Sequence, residues 1–252
     1  SQAGLTVVLA QIGYVLGLML LVPLGDFLNK RKLVVSLMVF AAISQILLSL
    51  STTLSTLYLF TLCATFGAIS AQVLIPFAST ISPPESSAAT VGKLMSGLVM
   101  GIILSRTFAG FVSTYWSWEA VYLSSGVITL LFAVVMWKKL PNTQPQTGLT
   151  ISSIYRSLFT LARNNPHLIR RACAGALGFG ILSMVFTSMT FVLGNAPYYF
   201  SDFEIGLFGL LGVIGIYSSS WSGKTVGQGK ENLVATLCIF LMLFSCIPLF
   251  FA

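Results

Sequence analysis

Eight stretches of roughly twenty apolar residues recur along the chain, at 4–24, 33–50, 56–78, 94–114, 119–137, 172–194, 204–221 and 233–251. A helix of about 20 apolar residues crosses a hydrocarbon core about 30 Å thick. Each stretch therefore predicts a membrane-spanning helix. A membrane barrel would need strands of about ten residues with alternating polarity, and these runs do not alternate. The pattern predicts an all-α integral membrane protein of helical bundles with about eight transmembrane helices.

The longest polar interruption runs from 138 to 171. Leu140 to Gly148 is rich in Pro, Thr, Gln and Asn and predicts a flexible linker. Beyond it, Ile151, Ile154, Leu158 and Leu161 form an apolar stripe at helical spacing, with Arg156 and Arg163 beside it. This predicts a short helix lying on the membrane face, ended by Asn164-Asn165-Pro166. His167 reads as a loop histidine, with nothing nearby to make it a ligand or proton relay. The expected division is a first bundle of five spans at 1–138, a linker with an amphipathic helix at 139–171, and a partial second bundle of three spans at 172–252.

Composition narrows the class. The chain has 252 residues, 56% hydrophobic and 8% charged, whereas soluble domains carry about 25% charged residues. The net charge of +7 raises nucleic acid as a partner, but the basic residues lie in short loops rather than on one face. Lys30, Arg31, Lys32, Lys93, Lys138, Lys139, Arg156, Arg163, Arg170, Arg171, Lys224 and Lys230 all fall in loops after odd-numbered spans. Basic residues resist export, so these loops are cytoplasmic. Glu119, Asp202 and Glu204 lie at the other side. The first span then enters from outside and the last ends outside.

Cys63, Cys173, Cys238 and Cys246 sit in apolar runs, without metal-ligand spacing. No metal site or cofactor is expected. A membrane enzyme acting on lipid would need paired carboxylates for metal or a histidine acid–base site, and six scattered acids with one His argue against it. Ser1 opens an apolar run with no charged segment or cleavage site. No signal peptide is expected, and the natural N-terminus is expected further upstream.

Residues 22–33 carry the strongest motif. Gly17-Leu-Met-Leu-Leu-Val-Pro-Leu-Gly-Asp leads into Lys30, Arg31 and Lys32. A weaker echo lies about 200 residues later, where Gly206, Gly209, Gly212, Gly215 and Gly223 precede Lys224 and Lys230. Internal repeats of this kind are common in transporters. Further motifs are Pro83-Pro84-Glu85, Gly97-Leu-Val-Met-Gly-Ile-Ile-Leu-Ser-Arg-Thr-Phe-Ala-Gly, Trp118-Glu119-Ala120-Val121-Tyr122, and Glu204-Ile-Gly-Leu-Phe-Gly-Leu-Leu-Gly. In this order they resemble the major facilitator superfamily of secondary transporters over essentially the whole chain, most closely its bacterial drug and sugar efflux members. The eight spans match that family's second to ninth helices. Departures are Phe27, Asn29, Glu119, Ser105-Arg106, the lack of an acid in the second loop, and the lack of a basic residue around Leu57 to Cys63.

The resemblance implies an incomplete two-bundle architecture, with Gly25, Asp26, Lys30 and Arg31 in a cytoplasmic gating loop. An Asp at a helix end can pair with nearby cations or a helix N-terminus. It also implies proton-coupled efflux of a small organic molecule by alternating access. The partners implied are substrate, protons and the lipid bilayer, with no nucleic acid. The location implied is the bacterial inner membrane, and an intact member would be monomeric. The alternative is a truncated, non-transporting remnant.

Arg106 is the one basic residue deep inside a span, where a charge costs at least about 2.5 kcal/mol unless it meets a cavity or partner. It reads either as a substrate-contacting group or as a donor to backbone carbonyls or Gln72. Gln11, Tyr14 and Gln72 read as cavity lining or as interhelical hydrogen-bond groups. Gly13, Gly17, Gly97, Gly101 and Gly110 read as sites of close helix packing. Trp116, Trp118, Tyr198 and Tyr199 are expected at the outer interface. The charge asymmetry predicts that, in a cysteine-free background, an impermeant thiol reagent added outside labels a cysteine at Ser201 and not one at Thr143. Labelling at 143 from outside would contradict the assigned orientation.

Overall fold

The computed structural model describes residues 2–142, 151–213, 217, 218, 221, 222, 225 and 230–250. Most of the linker expected at Leu140 to Gly148, including Thr143, lies outside them, as do Gly215, Gly223, Lys224 and the side chains of Asp26, Glu85 and Cys246. The helices are α1 (Gln2–Leu21), α2 (Leu24–Phe27), α3 (Lys30–Ser49), α4 (Leu54–Gly67), α5 (Ser70–Ile81), α6 (Pro84–Tyr115), α7 (Trp118–Lys139), α8 (Ile151–Asn164), α9 (Pro166–Leu193), α10 (Asp202–Phe208) and α11 (Glu231–Phe250). A 3-10 turn, Gly209–Gly212, follows α10. No strand occurs among the described residues.

The described residues hold six helical segments long and apolar enough to cross a membrane: Gly4–Leu21, Lys30–Ser49, Leu54–Ile81, Thr90–Tyr115, Trp118–Lys139 and Pro166–Leu193. These match the first six predicted spans. The expected span at 204–221 is described as the seven residues of α10 and the short 3-10 turn, and the last as the 20-residue α11. The third span is not one helix. It breaks after Gly67 and resumes at Ser70, well before Pro76, the residue that would mark a break from sequence.

Local chemistry sets the other boundaries. Asn29 caps α3 by accepting from the Lys32 N–H at 3.1 Å, so the departure at this loop position has a structural use. Thr53 and Thr56 form a reciprocal capping box at the start of α4, and Ser201 and Glu204 form another on α10. Ser117 caps α7. Glu119 in the first turn of α7 and Lys138 and Lys139 in its last complement the helix dipole.

The chain forms two compact units: Ser1–Phe77 with Val112–Asn165, and Ala78–Phe111 with Pro166–Ala252. This grouping follows contacts. The division by sequence at 138 and 171 stays a proposal about how spans belong to bundles.

In the first unit α4 packs on both α1 and α3, and α7 packs on α3. Glycines let the backbones meet. A Cβ added at Gly17 would lie 2.6 Å from the Phe66 carbonyl oxygen, and one at Gly13 would lie 2.5 Å from that of Leu62. Gly67 meets the Ala41 amide, and Gly126 meets the Ala42 carbonyl and the Ile46 side chain. Ala41 and Ala42 are almost wholly buried between these contacts. Toward the 22–33 loop, Leu33, Val34, Leu37, Ile69 and Val73 form an apolar cluster. Buried Ser44 and Ser49 turn their hydroxyls back onto the Phe40 and Ile46 carbonyls, so neither is left unbonded in apolar surroundings.

In the second unit α6 meets α10. A Cβ at Gly110 would overlap the Asp202 carbonyl, and one at Gly206 would lie 2.8 Å from the Arg106 carbonyl oxygen. The Thr107 hydroxyl donates to the Gly206 carbonyl at 3.2 Å, and the Phe111 and Phe203 rings meet edge to face. Gly97 and Gly101, expected at a helix contact, have nothing within 4 Å of an added Cβ. Both are exposed; α6 packs through Gly110 instead.

Large apolar side chains such as Leu131, Phe132 and Phe240 stand more than half exposed. In water that would be costly; against acyl chains it is the favourable arrangement. Trp116, Trp118, Tyr198 and Tyr199 are also exposed. The packing predicts that Gly17→Leu destabilises the fold by roughly 1–3 kcal/mol, the usual cost of overpacking, while Gly97→Leu is neutral. Thermal unfolding in detergent reads the difference; equal melting temperatures for the two variants would contradict the α1–α4 contact.

Candidate functional site

The 22–33 loop is built on short-range chemistry. The Gly25 N–H donates to the Val22 carbonyl at 3.0 Å, turning the chain out of α1 into α2. Gly25 is buried, and an added Cβ would lie 3.2 Å from Val73 Cγ1. Asp26 lies in α2. The two basic residues rest on aromatic rings: Lys30 Nζ lies 5.5 Å from the Phe77 ring centre and the Arg31 guanidinium 4.5 Å from that of Trp137. Arg31 Nε is buried without a hydrogen-bond partner, so the ring face holds this cation. The loop is tied to the end of α7's connection as well, because the Asn29 side-chain amide donates to Asn142 Oδ1 at 2.6 Å.

Two of the polar candidates in the spans come together. The Gln72 side-chain amide donates to the Tyr14 hydroxyl at 3.0 Å, joining α5 to α1. Gln11 is exposed on α1. Arg106 lies in the second unit, where its guanidinium stacks 3.8 Å from the centre of the Phe186 ring on α9. Its aliphatic stem lies beside Gly209, whose added Cβ would come within 3.4 Å of Arg106 Cβ and Cδ. The charge is thus half-buried against an aromatic face, and Gln72 belongs to the other unit.

The first unit also holds a cavity of about 330 Å³ lined by residues of α1, α3, α4 and α7. Thr6, Gln45, Thr61, Thr65, Tyr122 and Ser125 supply its polar lining. Gln45 Oε1 and Thr61 Oγ1 are buried there without partners, which marks them as groups open to a hydrogen bond from an uncharged guest or water. Neither was singled out in the sequence. Gln45 gives the same signal as Gln72, a lone amide in an apolar helix. Thr61 gives none, because a helical threonine normally bonds its own backbone. No group of three or more His, Cys, Asp or Glu residues able to hold a metal occurs among the described residues.

Long apolar helices, a capped and aromatic-clad basic loop and polar groups inside the spans are what a transporter bundle needs. The profile of the Major Facilitator Superfamily matches residues 1–252. The chain belongs to this superfamily. It is 36% identical over 251 residues to an uncharacterized transporter, YgaY, of Escherichia coli, covering all of this chain and 64% of that protein. A probable transporter of Streptomyces coelicolor is 27% identical over 96% of this chain and 56% of its own length. The inner membrane transport protein YnfM of Escherichia coli is 24% identical over 88% of this chain and 54% of its own length. The chain thus spans under two thirds of the length of these relatives. No solved structure matches it.

As a member of the Major Facilitator Superfamily, the chain is an all-α, multi-pass membrane protein of a transporter family. The Tyr14–Gln72 contact gives a direct check on its geometry. A double-mutant cycle with Tyr14→Phe and Gln72→Leu should show coupling of about 0.6 kcal/mol, the average for polar contacts between membrane helices. Strict additivity would contradict the hydrogen bond.

Proposed function

We propose that this chain is the greater part of a secondary transporter that exports a small organic molecule by alternating access, driven by inward proton flow, in a bacterial inner membrane. The observation that carries this reading is the family match along all 252 residues, in a chain whose relatives include a named inner membrane transport protein. The resemblance to efflux members supports the direction and the coupling. The 22–33 loop supplies a gating element in this reading: Lys30 and Arg31 leave their aromatic faces as the helix ends part, and Asp26 is the acid they exchange with. Arg106 is the substrate-contacting cation. Its stacking on Phe186 orients it and leaves the guanidinium edge for a ligand.

A second reading is favoured by one observation, the coverage of only 64% of the length of the YgaY transporter. In it, residues 1–252 alone insert and fold in part but do not transport, because the pathway needs helices from both complete bundles.

Proteoliposomes containing residues 1–252, and in parallel the parent protein that includes them, separate the two readings. Under an imposed proton gradient, the parent should move at least one member of a drug and sugar panel, with flux lost on collapsing the gradient and in Asp26→Ala and Arg106→Leu. The 252-residue chain should show no flux. Gradient-dependent flux through residues 1–252 would overturn the second reading; flux in the parent that ignores the gradient would overturn proton coupling.

A further inference from the structure

Helix α8 carries chemistry that transport does not use. Its 14 residues hold Arg156 and Arg163 and no acid. With 3.6 residues per turn, Phe159 stands between these arginines at spacings of three and four, so all three share one flank. The helix is also anchored, in part through Tyr155, which lies one turn before Phe159. Ile154 is buried, and the Tyr155 hydroxyl donates to the Met19 carbonyl at 2.9 Å and the Leu20 carbonyl at 3.2 Å. The helix is thereby fastened to the end of α1, just ahead of the 22–33 loop.

The free flank is unusual for a surface facing only water. Phe159 is 71% exposed. Beside it runs a shallow groove lined by Ser153, Arg156, Ser157, Thr160, Leu161 and Asn164. No carboxylate pairs with Arg156 or Arg163 among the described residues. An exposed aromatic ring, two uncompensated guanidiniums and a row of hydroxyl and amide groups follow one another around the helix. A single lipid molecule presents the same order: acyl chain, phosphate, polar headgroup.

We propose that Arg156, Arg163 and Phe159 form a binding site for an anionic phospholipid of the leaflet against which α8 lies. The two guanidiniums hold the phosphate, since planar forked donors match its oxygens. Phe159 enters the acyl region, as apolar residues of interfacial helices do. Hydroxyl-bearing headgroups such as glycerol meet the groove. The basic-residue asymmetry of the loops makes this the cytoplasmic leaflet, where anionic lipid attracts basic segments. Bound lipid then holds α8, and through Tyr155 the end of α1. The site is independent of which substrate is carried.

The purified chain in nanodiscs of phosphatidylcholine mixed with phosphatidylglycerol provides the test. After transfer to detergent, mass spectrometry counts the phosphatidylglycerol retained per chain. Retention should exceed that of phosphatidylcholine and fall on the order of fivefold for each arginine in Arg156→Gln and Arg163→Gln, the gain expected of one basic residue near an anionic surface. The conservative variants Arg156→Lys and Arg163→Lys should keep part of it. Phe159→Ser, which leaves both charges, should also lower retention and reports if the Gln variants fail to fold. Wild-type retention in folded Gln variants would overturn the proposal. So would displacement of the lipid by soluble glycerol phosphate, which would mean that the site reads phosphate alone.

Discussion

The first unit depends on how closely its helix backbones approach. Helices in a bilayer gain little from hiding apolar side chains, because acyl chains are as apolar as leucine; they associate through close van der Waals packing and a few polar contacts. Gly13 and Gly17 let α1 reach the α4 carbonyls, Gly67 brings α4 onto α3 at Ala41, and Gly126 brings α7 onto α3 at Ile46. Larger residues at these places would part the helices. The buried alanines of α3 and the Tyr14–Gln72 hydrogen bond exist because these distances are short.

The same constraint shapes the loop at 22–33. Gly25 fits beneath Val73, so the turn lies against the apolar cluster of α3 and α5. Lys30 and Arg31 then start a helix instead of extending into water, and their charges are met by ring faces. Aromatic faces of this kind hold a partly desolvated cation without a carboxylate, an interaction that runs from about 0.5 kcal/mol where exposed to about 2 kcal/mol where desolvated. In the second unit the Arg106–Phe186 stack follows the same logic inside a span.

Much of this was legible in the sequence because the bilayer enforces it. Six of the span-length helices and the amphipathic helix around Leu158 follow from hydrophobic run length and periodicity. What the sequence did not reveal depends on which faces meet. The break after Gly67 falls ahead of Pro76, at the place where Gly67 meets the Ala41 backbone. Gly97 and Gly101 have the same spacing as Gly13 and Gly17 but meet nothing within 4 Å among the described residues; spacing alone does not say which side of α6 is covered. The Gln45–Thr61 cavity needs four helices to assemble, and Arg106's aromatic partner lies 80 residues further along the chain.

Alternating access requires two units that keep their internal packing while their separation changes. Double electron–electron resonance on reconstituted protein, with spin labels at Thr52 of the first unit and Tyr199 of the second, measures that separation directly. The transporter reading predicts two distance populations whose ratio shifts with pH, while a pair of labels within the first unit stays fixed. A single distribution that ignores pH, with the same fixed control, would contradict it.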